Sequence, residues 1–232
     1  NQLVQKIHET GVPTIVVLVG GRPLSVNWIA QNVQALVQAW EPGSLGGRAL
    51  ANILAGKVNP SAKLPISIPR HSGQIQMIYN HKPSQYFHKY IDGPSTPLYP
   101  FGFGLSYTRF AYSSLKLSHT RISDKDSFTA SIELTNVGDR EGTEVVQLYI
   151  RDIYSSATRP VKELKDFARV TLKPGEKKTV TFTVTPDKLA YWNRNMQYGV
   201  EKGEFEIMIG SSSQDKDCLL YTSPSPRDRT RS

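Results

Sequence analysis

From residue 113 onward, apolar and polar side chains alternate, which is the period of a β-strand with one face on a core. In residues 128–135, Phe, Ala, Ile and Leu alternate with Thr, Ser and Glu. The same alternation recurs, with turn signals between the segments, in EVVQLYIRD (144–152), KTVTFTVTP (178–186) and GEFEIMIGS (203–211). Several short strands at this spacing predict an immunoglobulin-like antiparallel β-sandwich over residues 113–217.

The first 70 residues follow a different pattern, in which helical and extended segments alternate. Helices are predicted at 2–10 and 25–33, and strands at 14–19 (TIVVLV) and 35–40 (ALVQAW). A continuous β-branched run such as 14–19 is typical of a strand buried on both faces of a parallel sheet. The order predicts part of an α/β sandwich domain in residues 1–70, with an open, mostly parallel sheet flanked by helices.

Ligands of open α/β sheets bind beyond the carboxyl ends of the strands. Here the first strand is followed by residues 20–22, and the second ends at Trp40, which precedes Glu41. Arg22, Trp40 and Glu41 are therefore candidate substrate-binding residues, with ordinary loop structure as the alternative.

The turn residues in 40–69 are typical of a packed unit that consists of a turn, a helix and a final extended segment. Ser44 is predicted to cap the helix, and Gly56 to end it in a left-handed conformation. Gly46 and Gly47 fall in the first turn, where each glycine costs roughly 1 kcal/mol relative to alanine. Tight packing is the preferred explanation for these glycines, and close approach of a ligand is the alternative.

Residues 71–112 are rich in both proline and aromatic residues, which predicts a connecting strap that wraps across other parts of the protein. Its aromatic residues include Tyr79, Tyr86, Phe87, Tyr90, Tyr99, Phe101 and Phe103. His71, His81 and His88 lack the spacing of metal ligands, so no metal site is predicted.

The net charge of +8 raises the question of nucleic-acid binding, but the basic residues are dispersed, which favours a solvated surface. No apolar run approaches the roughly 20 residues that cross a bilayer, so no membrane contact is predicted. The single cysteine, Cys218, excludes an internal disulfide. Residues 218–232 break the alternation and are rich in Ser, Pro and Arg, so they are predicted to be disordered, or not native to the protein.

Three motifs, in the right order, resemble glycoside hydrolase family 3, and PRHSGQIQMIYNHK (69–82) is similar to its bacterial three-domain β-glucosidase and β-xylosidase branch. WEPGSLGGRALANILAGKVNPSAKLPISIP (40–69) is similar to the C-terminal α/β domain, and PLYPFGFGLSYTRF (97–110) to the exit from the sugar-cleaving module. The segments from NVGDREGTEVVQLYIRD to GEFEIMIGSSS (136–213) resemble the fibronectin type III-like domain. Where the family often has glutamate in the Pro-Gly turn, this chain has Ser44 and Leu45.

The resemblance implies a retaining exo-β-glycosidase acting on a small oligosaccharide or β-glycoside, with no cofactor and a periplasmic or secreted location. It places the nucleophile on an N-terminal barrel and the acid/base glutamate before the first helix, so no catalytic residue is assigned here. The chain would then be a C-terminal fragment, inactive without that barrel. The alternative is a non-catalytic carbohydrate-binding or interaction module. Sugar and linkage specificity and oligomeric state are not determined by these motifs.

Overall fold

A computed structural model describes residues 1–74, 77–83 and 93–223. The N-terminal part contains two parallel strands that pair with each other, and three short helices. Its elements are α1 (Gln2–Glu9), β1 (Ile15–Val19), α2 (Asn27–Asn32), β2 (Ala35–Trp40) and α3 (Gly46–Leu54). The predicted order of helices and strands in this region is confirmed.

Strand β1 is not buried on both faces, and this part of the prediction is wrong for this chain. Ile15 and Val19 are 51% and 64% exposed. Parallel strands become buried when neighbouring strands and helices cover them, and among the described residues only β2 pairs with β1. Leu3 and Ile7 of α1 are also exposed, at 73% and 42%. Apolar side chains on the sheet and on α1 of the α/β part are therefore exposed to solvent.

Helix α3 begins one residue later than predicted, and Ser44 does not cap it. Leu45 is the N-cap residue and makes no side-chain hydrogen bond there. The N–H of Gly46 instead donates to the carbonyl oxygen of Gly43 at 3.1 Å, so a backbone turn satisfies it. Gly46 is required by packing, since a Cβ there would lie 2.5 Å from Cβ of Pro42. Gly56 has a φ of +69°, which confirms the predicted left-handed helix ending.

The C-terminal part is a seven-stranded sandwich of two antiparallel sheets, which confirms the predicted fold class. The first sheet has the order β3-β4-β7 and the second β11-β10-β5-β6. The strands are β3 (Phe110–Leu117), β4 (Phe128–Asn136), β5 (Gly142–Asp152), β6 (Glu163–Leu172), β7 (Lys177–Val184), β10 (Phe205–Gly210) and β11 (Cys218–Ser223). Between β7 and β10 lie a helical turn, α4 (Pro186–Leu189), and a small hairpin of β8 (Tyr191–Trp192) and β9 (Tyr198–Gly199).

The core of the sandwich consists of the apolar residues that the alternation marks. In β4, Phe128, Ala130, Ile132 and Leu134 are between 0% and 7% exposed. Alternate residues of β5, β7 and β10 meet them, namely Val146, Leu148, Ile150, Val180, Phe182, Val184, Ile207 and Ile209. Because successive side chains in a strand point to opposite faces, the local pattern alone selects the inward set.

The outer face of β5 is covered by the segment that connects the two parts of the chain. Tyr149 is fully buried there, and Tyr79 lies edge-on to it with ring centroids 5.9 Å apart. Tyr79 stacks in turn on Phe101 at 4.2 Å. Gln147 donates to the carbonyl oxygen of Gly102 at 3.1 Å. Strand β5 is therefore buried on both faces, one by the core and one by the connecting segment.

The sandwich extends beyond residue 217, so the predicted start of a disordered tail at 218 is wrong. Cys218–Ser223 forms β11, which pairs antiparallel with β10. Strand pairing uses backbone N–H and C=O groups, so an open edge of β10 can take up a segment without a clear alternation. Residues 224–232 lie outside the described residues, as do Tyr86, Phe87, His88 and Tyr90 of the predicted strap.

Candidate functional site

The three candidate substrate-binding residues lie at one edge of the β1–β2 sheet, because the two strands are parallel. Trp40 pairs with Val19 across a register shift. The N–H of Gly20 donates to the carbonyl oxygen of Trp40 at 2.9 Å, which ties the loop after β1 to the end of β2. Arg22 follows two residues later. The structure thus brings Arg22, Trp40 and Glu41 to the edge where open α/β sheets bind ligands.

Trp40 has a φ of +53°, which is unusual for a bulky aromatic residue. Residues held in such backbone conformations cluster at functional sites. The turn of the chain at Trp40 directs Glu41 toward the loop after β1. A Cβ at Gly21 would lie 2.9 Å from Oε1 of Glu41, so a side chain at position 21 would displace this carboxylate.

Arg22 and Glu41 are both exposed, and within the described residues neither side chain has a hydrogen bond or ion pair. Trp40 is half-buried. The edge therefore presents an aromatic ring, together with a cation and a carboxylate that no side chain or backbone group of the described residues pairs with. Such groups can stack on a sugar ring and bind its hydroxyls, and their contact with a substrate stays a prediction.

A second polar cluster lies between the two parts of the chain, and one of its members, Glu144, is buried in line with the alternation. Glu144 is 4% exposed, although its position beside a turn predicts a solvated surface. Its carboxylate pairs with the ammonium group of Lys63 at 2.9 Å and accepts a hydrogen bond from the Tyr112 hydroxyl at 3.0 Å. Burial and the neighbouring carboxylate raise the pKa of Tyr112. The missed signal was parity, because position 144 shares the inward face with Val146.

Asn59 joins the same junction from the end of the α/β part. Its Oδ1 accepts hydrogen bonds from the Ser106 hydroxyl at 2.9 Å and the Tyr107 N–H at 2.8 Å. Its Nδ2 donates to the carbonyl oxygen of Glu141 at 3.0 Å. A cavity of about 440 Å³ lies beside these contacts, lined in part by Lys63 and Glu144. Since these two charges neutralise each other, the cluster acts as a structural connection between the two parts.

Two family descriptions match the chain in the order of its two parts. The glycosyl hydrolase family 3 C-terminal domain matches residues 1–107, and a fibronectin type III-like domain matches residues 144–213. Residues 1–107 belong to glycosyl hydrolase family 3. The candidate edge formed by Arg22, Trp40 and Glu41 lies in the family 3 C-terminal domain, and the Lys63–Glu144 pair joins that domain to the sandwich.

Known proteins resemble the chain along almost all of its length. A periplasmic beta-glucosidase of Salmonella typhimurium is 44% identical over 91% of the chain, and a beta-xylosidase of Formosa agariphila is 47% identical over 93%. The beta-glucosidase of Listeria innocua, solved with glucose, has a TM-score of 0.88 at 37% identity over 95% of the chain. The chain spans 29% and 30% of the two relatives and 32% of the solved chain.

In residues 1–74, 77–83 and 93–223, no helix is long and apolar enough to cross a membrane. In the same part of the chain, no group of three or more His, Cys, Asp and Glu side chains could hold a metal ion.

Proposed function

We propose that this chain is the C-terminal region of a retaining exo-β-glycosidase, a β-glucosidase or β-xylosidase, and forms one wall of its sugar pocket. The observation that supports this most strongly is the agreement of both domain matches, in order, with relatives named as beta-glucosidase and beta-xylosidase. Retaining hydrolysis needs a carboxylate nucleophile and a second carboxylate that acts as acid and then base, about 5 Å apart. In this proposal both come from the remainder of the protein.

The exposed apolar surface of the α/β part supports the need for that remainder. Ile15 and Val19 in β1 are 51% and 64% exposed, and Leu54 in α3 is 44% exposed. Apolar residues of such strands and helices normally lie in a hydrophobic core. Burying apolar area stabilises by roughly 25 cal/mol per Å², so this surface favours association with further strands and helices. We propose that the rest of the same protein, including its barrel, covers it.

Within the pocket, Trp40 would stack on the sugar or its leaving group, while Arg22 and Glu41 would bind hydroxyls. This wall would bind substrate in the ground state and the transition state alike, so its loss should raise KM more than it lowers kcat. The names of the relatives support a periplasmic or secreted location, since one of them is a periplasmic enzyme.

The experiment is an assay of aryl β-glucosides and aryl β-xylosides with three samples. These are the 232-residue chain, the full-length protein, and the chain mixed with the separately produced remainder. We expect no turnover by the chain alone, turnover by the full-length protein, and partial recovery in the mixture. Turnover by the isolated chain would show that its own carboxylates catalyse the reaction, and an inactive full-length protein would refute the glycosidase assignment.

The pocket wall is tested with Trp40→Ala in the full-length protein, using Trp28→Phe in α2 as the control for an altered tryptophan. We expect the KM of Trp40→Ala to rise about tenfold, from the loss of one aromatic contact of about 1.4 kcal/mol. An unchanged KM would exclude Trp40 from the pocket.

A further inference from the structure

Two aromatic rings stand exposed on the sandwich, far along the chain from the candidate pocket wall. Trp192 and Tyr198 are 61% and 53% exposed. They lie directly opposite each other in the β8–β9 hairpin, with ring centroids 5.4 Å apart and planes inclined at 52°. Because neighbouring residues in a strand point to opposite faces, Tyr191 points inward and is 9% exposed. The hairpin therefore has an inner ring that anchors it and an outer pair that faces solvent.

The inner face of the hairpin is held by a polar network. The Tyr191 hydroxyl donates to the Glu201 carboxylate and accepts from the Ser156 N–H at 3.1 Å. The hydrogen bond from Tyr191, with those from Ser156, lowers the pKa of Glu201 to about 2. The Arg159 guanidinium lies 4.4 Å from the Tyr191 ring centroid. Arg194 in the turn donates two hydrogen bonds to the Ser156 carbonyl oxygen, at 3.3 and 3.1 Å.

The turn between the two strands is equally well fixed. Oδ1 of Asn193 accepts hydrogen bonds from the N–H groups of Asn195 and Gln197 at 2.9 and 3.1 Å. The N–H of Asn193 donates to the Gln197 carbonyl oxygen at 3.0 Å. The two outer rings are thus mounted on a pre-organised hairpin, which reduces the entropy lost on binding a ligand.

The size of this aromatic pair indicates a small ligand. Aromatic side chains offer about 150–250 Å² each, so at these exposures the two rings present roughly 250 Å². A stable protein interface buries about 800 Å² on each partner. One or two sugar rings match the smaller area. The C–H groups on a pyranose face carry partial positive charge and pack against the negative face of an aromatic ring.

The surroundings favour a neutral, hydroxylated ligand. Exposed carboxamides of Asn195 and Gln197 lie in the same turn and can donate to or accept from hydroxyls. The guanidinium of Arg194 is directed to Ser156, which disfavours a phosphate-bearing ligand at the same face. The 52° inclination of the rings suits successive residues of a twisted chain, whereas a flat crystalline surface needs coplanar rings.

We propose that Trp192 and Tyr198 form an accessory sugar-binding platform that stacks two successive pyranose rings of a β-linked oligosaccharide. The choice of a β-linked ligand rests on the proposed glycosidase function. The platform would hold a substrate chain on the sandwich, separately from the pocket where it is cleaved.

The test measures binding without catalysis. The 232-residue chain is titrated with cellohexaose and with xylohexaose, and the indole N–H resonance of Trp192, assigned by its loss in Trp192→Ala, is followed by NMR. We expect that resonance to shift in a saturable way with one of the two sugars. In affinity electrophoresis through a soluble β-glucan or xylan, Trp192→Ala and Tyr198→Ala should each weaken binding by about tenfold, the loss of one aromatic contact.

The control is Phe167→Ala, which removes another exposed ring, 60% exposed in β6, away from the hairpin. Its affinity should stay within about twofold of the unaltered chain. Absence of binding, or equal weakening by all three substitutions, would overturn the proposal. Binding by the chain that disappears in the full-length protein would also overturn it, since the platform would then be a covered interface.

The outcome is separable from that of the proposed function. Hydrolysis of aryl β-glycosides by the full-length protein without oligosaccharide binding by the chain would refute the platform alone. Saturable binding by the chain with an inactive full-length protein would refute the glycosidase assignment alone. Trp192→Ala should leave kcat/KM for small aryl glycosides unchanged and lower it for long oligosaccharides.

Discussion

Breaking the buried ion pair between Lys63 and Glu144 should destabilise the chain far more than breaking a surface pair. The two side chains are 12% and 6% exposed, and their charged atoms lie 2.9 Å apart. With an effective dielectric constant of about 20, the attraction at this distance is about 6 kcal/mol. Desolvation costs several kcal/mol for each ion, so the complete pair is close to neutral in its net contribution. Glu144→Gln removes the attraction and leaves the ammonium group buried, with an expected loss of about 3–5 kcal/mol.

The assay is urea unfolding of the 232-residue chain, comparing midpoints at constant slope. Lys63→Met should lower the free energy of unfolding by a similar amount, because it leaves the Glu144 carboxylate buried without its partner. It also removes the hydrogen bond from Lys63 to the Gly104 carbonyl oxygen at 3.2 Å. The double variant should lose much less than the sum of the two single losses, since neither charge is then left unpaired. Additive losses would refute the reasoning.

The matched control is the surface pair between Lys177 and Glu133, which are 56% and 38% exposed with a 3.5 Å separation. Lys177→Met should change the free energy of unfolding by less than about 1 kcal/mol. A loss at this exposed pair as large as that at the junction would show that burial does not control the effect.

Three further substitutions test local features of the fold. Gly47→Ala should raise the free energy of unfolding by about 1 kcal/mol, because nothing lies within 4 Å of the added methyl group. Gly46→Ala should lower the free energy of unfolding, because its methyl group would clash with Pro42. Equal effects of the two substitutions in urea unfolding would contradict this. Gly102→Ala should also destabilise, since the residue has a φ of +78° and a Cβ would lie 2.1 Å from the Gln147 amide oxygen, and an unchanged midpoint would argue against this packing. Burial raises the pKa of the Asp152 carboxyl to about 6, above its unfolded value of about 3.9, so protonation stabilises the fold as pH falls through that window. The melting temperature should therefore rise as the pH is lowered from 7 to about 4, and Asp152→Asn should reduce this rise. An unaltered pH profile in the variant would refute the raised pKa of Asp152.

The candidate site was only partly predictable from the sequence. The carboxyl ends of two parallel strands must meet at one edge, so the grouping of Arg22, Trp40 and Glu41 followed from the strand order. The positive φ of Trp40 had no local signal, because tryptophan rarely adopts that conformation. The parity of Glu144 indicated an inward position, but its location beside a turn favoured a solvated surface, and the Lys63 that neutralises its charge lies 81 positions earlier in the chain.

The sequence by itself determined the elements of residues 1–70, four strands of the sandwich and the family. Period-two alternation selects the core of the sandwich, since the direction of a side chain in a strand depends only on its parity. The pattern of helices and strands in residues 1–70 likewise depends on local periodicity and turn residues. Both are properties of neighbours in the chain.

The tertiary structure alone decided which surfaces are covered. It left Ile15 and Val19 exposed, although their β-branched run is typical of a buried strand. It buried Tyr191 and exposed Trp192, which are adjacent and equally aromatic. It also added Cys218–Ser223 to an open sheet edge. These outcomes depend on which distant segments reach a given face, and the burial free energy that fixes them is a property of the assembled chain rather than of any local pattern.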